Sequence, residues 1–211
     1  MKNNKLDFLA KIVFFGAIWG IVEATLGYVL HLLPGFLAGS LMFPFVMVIL
    51  YKAYKSTGSK KAIIYVAIIA MMIKATNLFL PFMMPAKTIN PMVSMLLESL
   101  LVLAVMPLLD NENVFAKFGG ILVASIGWRF AFIGYQGANY LITDYMAQYL
   151  QNFGLAFDFV VLQGIISATI ALVILFVFVE VKALKKLDKF RINPIVSLVT
   201  FVLAIVLTLL V

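Results

Sequence analysis

The chain of 211 residues contains no cysteine and a single histidine, His31. Those absences exclude disulfide bridges, thiolate nucleophiles, cysteine-held zinc and any multi-histidine centre, so no metal site is expected. Charge is also scarce, at 12% of residues against roughly 25% in an ordinary soluble domain. No G-x-x-x-x-G-K-[ST] phosphate loop occurs, so ATP-driven work would need other subunits, and no cofactor is expected. G-x-S-x-G and H-E-x-x-H are missing too, which removes two common hydrolytic machineries.

What is present is apolar. Hydrophobic residues make up 64% of the chain and fall in long uninterrupted runs, more than a water-facing protein of this size can bury. Barrel strands would alternate apolar and polar residues instead. At roughly 20 residues per span there is room for about seven helices and short loops, and none for a separate soluble domain. The expected fold is an all-α polytopic membrane protein. One integral domain over residues 1–211 holds spans at about 8–32, 37–55, 62–84, 90–109, 115–138, 156–181 and 193–211. The start, MKNNKLDFLAKIVFF, has a basic leader but no small-residue cleavage site after it, so it reads as a signal-anchor-like first helix.

Local punctuation supports these boundaries. Pro34-Gly35 separates the first two spans, and Ser56-Thr57-Gly58-Ser59 reads as a polar turn. Asn90-Pro91 and Asn193-Pro194 each read as an N-cap followed by proline in the first helical position. The similar phrases around them, Ile89 to Ser94 and Ile192 to Ser197, fit shared capping grammar or a relic of duplication.

Basic residues give the orientation. Lys2, Lys5 and Lys11, Lys52, Lys55, Lys60 and Lys61, Lys117, and Lys182, Lys185, Lys186, Lys189 and Arg191 all fall on one side of a seven-span layout. The opposite side holds only Lys87. The positive-inside rule puts the basic side in the cytoplasm, with the N-terminus in and the C-terminus out, in a cell membrane of the bacterial inner-membrane kind. The net charge of +7 is thus a topology signal, the run from Lys182 to Arg191 is suited to contact with acidic lipid heads, and no nucleic-acid partner is expected. The longest outer connection, about 139–155, carries Tyr140, Tyr145 and Tyr149 and reads as an interfacial segment or a lid.

Glu23, Lys74, Glu98 and Arg129 lie inside spans. A charge near the bilayer centre costs at least ~2.5–3.5 kcal/mol, so such groups face the bundle interior and pair. With Gln163, all map to the outer half or the midplane, which predicts a polar cavity open to the outside. Helical spacing gathers further polar groups. Trp19, Glu23, Gly27 and His31 share a stripe, as do Asn90, Ser94 and Glu98. Asn77 neighbours Lys74; Ser125, Gln136 and Asn139 lie near Arg129; Ser167 lies near Gln163. As a substrate site, Arg129 would fork a carboxylate or phosphate, Lys74 would add a second positive contact, and Glu23 and Glu98 would accept from ligand N–H groups. Trp19, Trp128 and Tyr135 offer flat surfaces. The same residues also fit structural ion pairs, interhelical hydrogen bonds and ordinary packing. Gly16, Gly20 and Ala24, at i, i+4 and i+8, form a small-residue stripe suited to close helix packing, either within the protein or against a partner.

In size, basic character, helix layout and the Gly16-x-x-x-Gly20-x-x-x-Ala24 stripe, the chain resembles the substrate-binding (S) components of energy-coupling factor transporters. The resemblance implies a six-helix bundle that binds a vitamin-like solute near the outer face. It also implies docking through the first helix onto a transmembrane coupling protein and two ATPase subunits. The span at 193–211 would then be an extra C-terminal helix. Relatives that carry cobalt or nickel use an N-terminal histidine, where this chain has Met1-Lys2, so a metal substrate is not implied. The function expected is uptake of a small organic solute or cofactor precursor with an anionic or hydrogen-bonding group and a ring. Alternatives are a stand-alone proton-coupled transporter using Glu23 or Glu98, an intramembrane lipid enzyme built from Glu23, Glu98, Arg129 and His31, and a purely structural subunit.

Overall fold

A computed structural model describes residues 2–31, 35–81, 83–180 and 192–210, with side chains for 5–27, 29, 40–81, 83–177 and 192–210. The His31 side chain, Pro34 and the basic run from Lys182 to Arg191 lie outside these residues. All regular structure among them is helical: α1 (Lys2–His31), α2 (Gly35–Thr57), α3 (Lys61–Ala75), α4 (Ala86–Leu109), α5 (Val114–Thr143), α6 (Phe153–Phe157), α7 (Gln163–Glu180) and α8 (Pro194–Leu210). Short 3₁₀ turns follow α3 and precede α6, and a π-turn at Asp158–Leu162 joins α6 to α7.

Among the described residues five segments are long and apolar enough to cross a membrane, as an integral membrane protein requires: Lys5–Gly27, Lys61–Phe79, Ala86–Leu109, Val114–Thr143 and Phe153–Val177. Their outward faces carry bare apolar side chains such as Met72, Val123, Phe130 and Val173. That is the surface a lipid solvent accepts and water does not.

The helices close into a ring. α1 packs on α3, α3 on α4, α4 on α5, α5 on α7, α7 on α2, and α2 back on α1. Phe43, Met47 and Leu50 of α2 are fully buried in the central core with Trp19, Ile63, Met106 and Ile121. α8 stands outside this ring, against α1 and the end of α3. Ala204 of α8 meets Ala17 and Ile73, and Ser197 Oγ donates to Ala10 O at 2.7 Å, tying α8 to α1.

Capping explains most boundaries. Gly58 takes φ +65 and its N–H returns to Tyr54 O at 2.8 Å, closing α2 at the expected turn. Asn193 caps α8 through Val196 N at 2.9 Å, with Pro194 in the first position, also as expected. The matching expectation at Asn90-Pro91 is corrected. α4 begins at Ala86, and both Asn90 and Pro91 lie within it. The N–H groups of Thr88 and Ile89 bond Pro85 O, so the first turn forms one turn earlier and Pro91 is absorbed close to the helix start. α3 stops short of residue 84. It tightens into a 3₁₀ turn at Thr76–Phe79, and Leu80, which precedes Pro81, is extended at φ −82 and ψ 120. α5 runs to Thr143 rather than 138, ending where Asp144 takes the left-handed φ of 55 and its N–H bonds Tyr140 O at 2.9 Å. Asn152 caps α6 through Leu155 N at 2.9 Å.

Candidate functional site

Glu23, Lys74, Glu98 and Arg129 form one electrostatic cluster. Lys74 Nζ of α3 stands 3.4 Å from Glu23 Oε1 of α1. Glu98 of α4 is buried, with no hydrogen bond or ion pair among the described residues, and the charges that act on it are those of Glu23 and Arg129. Arg129 of α5 is wholly buried. Its Nη1 donates to Ser125 O at 2.9 Å and to Ser125 Oγ at 2.8 Å, and Ser125 Oγ donates to Gly164 O of α7 at 2.9 Å. The guanidinium carbon lies 4.6 Å from the Trp128 ring centroid and 6.0 Å from that of Phe159. Arg129 is therefore held by an α5–α7 clamp of hydrogen bonds and aromatic faces. α7 can come this close because Gly164 has no side chain: a Cβ there would meet Ile126 Cγ1 at 2.8 Å.

Beside this cluster lies a cavity of about 600 Å³. It sits at the end of the bundle where α4 begins and α5 runs into the segment leading to α6. Asn90, Gln136 and Gln163 line it, and Tyr145 and Tyr149 of the connecting segment form part of its wall. The long connection between α5 and α6 thus supplies part of the cavity wall. Two further lining residues, Asp158 and Phe159, were not among the expected site residues, and the π-turn delivers them. In a π-turn, residues five apart face each other, so Gln163 Nε2 reaches Asp158 Oδ2 at 2.9 Å. Phe159 stacks on Tyr149 with centroids 4.6 Å apart, and Phe132 and Trp128 pack around that pair. Burial raises the pKa of the Tyr149 phenol, which stays protonated and able to donate. Asn90 Oδ1 accepts from the Tyr135 hydroxyl at 3.1 Å. The Gln136 side chain is 1% exposed, and its Nε2 has no partner among the described residues.

The anticipated site residues are thus divided. Asn90, Gln136 and Gln163 meet at the cavity. Glu23, Lys74, Glu98 and Arg129 do not line it; the Arg129 guanidinium carbon lies 6.0 Å from the ring centroid of Phe159, which does. Trp19 belongs to the core, its Nε1 without a partner among the described residues. Asn77 is buried in the 3₁₀ turn beyond Lys74, and the Ser94 hydroxyl donates to Pro91 O at 2.9 Å. Asn139 is half-buried near the end of α5, where its carbonyl accepts from the Thr143 hydroxyl. Gly16 and Gly20 are filled internally: a Cβ on Gly16 would meet Ile69 Cβ of α3 at 2.5 Å, and one on Gly20 would meet Ile73 at 3.0 Å. Ala24 is buried on the same helix. In this fold the stripe is a seat for α3. Asp158 had a readable signal in hindsight, as the one acid in the first turns of an otherwise apolar span.

Comparison with protein-family models, with curated proteins and with solved structures gives no match for this chain.

Proposed function

We propose that the protein is a membrane-embedded binding subunit that takes up a small organic solute, vitamin-like or a cofactor precursor, from the outer side of a cell membrane. The observation that carries this reading is the cavity of about 600 Å³, walled by three amides from three different helices and by stacked aromatic rings. That volume lies within the roughly 300–1,000 Å³ of small-molecule sites, and convergent polar groups in an apolar wall are what fix a ligand's orientation. In this reading seven helices span the membrane with the N-terminus inside and the C-terminus outside. The cavity then opens outward, opposite the lysine-rich end.

Energy for uptake would come from partner proteins, a coupling protein and ATPases, as in the transporters whose S components the chain resembles. A ring of six helices with α8 added outside fits that resemblance. The α3-facing glycine stripe of α1 does not supply the docking face, so the partner surface lies elsewhere on the bundle. A second reading, a stand-alone proton-coupled transporter, draws on Glu98, a buried carboxyl without a hydrogen bond among the described residues. Proton-dependent uptake in vesicles lacking any ATPase would favour it over the first.

The test is native mass spectrometry of gently extracted protein. The wild type should retain a small organic molecule, and Gln136→Leu should lose it while remaining folded. Retention of the same molecule by Gln136→Leu, or its absence from the wild type, would contradict the reading.

A further inference from the structure

The charge on the solute can be read from the cavity wall, an inference that rests on the solute-binding reading above. Arg129 and Lys74 are the cations an anionic solute would seek within the spans, and neither lines the cavity. Arg129 is turned toward Ser125 and lies against Trp128 and Phe159; Lys74 is paired with Glu23. Among the described lining residues there is one carboxyl group, Asp158, and no lysine, arginine or histidine. Gln163 donates to Asp158 Oδ2, which holds the carboxyl beside that amide among the lining residues.

The other lining groups agree with that charge. Tyr145, Tyr149 and Phe159 provide aromatic rings, whose electron-rich faces attract cations and reject carboxylates. The Gln136 amide is buried with a nitrogen that has no partner among the described residues, so an occupant that offers an acceptor relieves an open donor. An anion placed here would face Asp158 and the ring faces together. A cation would be paired by Asp158 in surroundings of low dielectric, where such pairing is strongest.

We propose that the cavity selects a flat, singly cationic heterocycle that keeps one ring nitrogen unprotonated: its cationic N–H edge pairs with Asp158, that ring nitrogen accepts from the Gln136 amide N–H, and its face meets the Tyr149–Phe159 aromatic wall.

Three flat probes of similar size separate the charges: pyridine-3-carboxamidine, protonated on its amidine at neutral pH with the ring nitrogen free to accept, neutral benzamide and anionic benzoate. Each is titrated against the full-length protein in lipid nanodiscs, with thermal stability and equilibrium dialysis as readouts. The amidinium probe should bind at least about tenfold more tightly than either other probe, and Asp158→Asn should abolish that preference. Asp158→Asn keeps an oxygen for Gln163, and its unliganded melting temperature reports whether it folds. Gln136→Leu should weaken all probes that bind in the cavity.

Tighter binding of benzoate or benzamide, lost in Gln136→Leu, would overturn the charge assignment and leave the solute site standing. An unchanged preference in folded Asp158→Asn would also overturn it. No binding of any probe, together with no retained solute in native mass spectrometry, would remove both.

Discussion

Arg129 directs Nη1 at Ser125, and Ser125 passes a hydrogen bond on to Gly164 across the α5–α7 contact. Removing that hydroxyl leaves a buried cation short of an acceptor and a buried carbonyl short of a donor. Ser125→Ala should therefore destabilise the protein by about 1–3 kcal/mol, measured as a fall in melting temperature in detergent, with the cavity wall itself unaltered. At the opposite end of the bundle, Asp110 accepts from Tyr54 Oη at 2.6 Å and from Lys55 Nζ at 2.5 Å. Burial pushes its pKa up, but the hydrogen bonds from Lys55 and Tyr54, with the Lys55 and Lys60 charges, outweigh burial and hold it below the ordinary 3.8. A carboxyl depressed in the folded state stabilises it above the unfolded pKa and loses that contribution as pH falls through the folded one. The Lys55 side chain is 49% exposed, so screening limits the effect. Asp110→Asn should cost about 0.5–1 kcal/mol at neutral pH, and the difference from wild type should vanish in strongly acidic buffer. A difference that persisted there would mean the carboxylate's charge is not what ties α2 to the α4–α5 corner.

Among the elements, α1 is the most heavily shared, with α2, α3 and α8 all packed on it. Gly16 is the tightest point of its contact with α3, and the atoms a Cβ would meet are a branched Cβ and Cγ2 of Ile69 and, at 3.0 Å, the carbonyl of Val66. None is the loose end of a flexible side chain. Gly16→Ala should thus destabilise by about 1–3 kcal/mol and broaden the gel-filtration profile of the purified protein. A normal melting temperature would show that α3 is free to move outward. Long apolar runs between turn signals made most helices legible, because lipid demands an unbroken apolar stretch and satisfied backbone. The ends were less legible. Asn90-Pro91 and Asn193-Pro194 share the same grammar, yet only the second starts a helix, since Pro85 already offered a carbonyl for the first turn of α4. The π-turn at Asp158 could not be read, because an extra residue in a helical turn changes facing without changing composition. It moves Asp158 and Phe159 onto the cavity wall, which is why the site was recognised only in part.

For the whole molecule, the four charged residues, each on a different helix, gather into one cluster as charge in lipid requires, and their common depth along the spans was legible in the sequence. It did not reveal that Phe159 and the Tyr145–Tyr149 segment would wall off a separate cavity, since that depends on how the α5–α6 connection folds back. Uptake from outside needs one direction: cavity outward, lysine-rich end inward. A reporter fused after Val211 should accordingly lie outside the cell, whereas a cytoplasmic signal would remove the seventh span.

Because the chain has no cysteine, a single introduced thiol can be read without background. The most direct measurement is therefore labelling of Gln148→Cys, at the cavity wall, and of Lys55→Cys, at the opposite end, with a membrane-impermeant maleimide in intact cells. Labelling of Gln148→Cys in intact cells, with Lys55→Cys reacting only after lysis, is the predicted result. The reverse pattern, or protection of both positions until lysis, would contradict a cavity that receives its solute from outside.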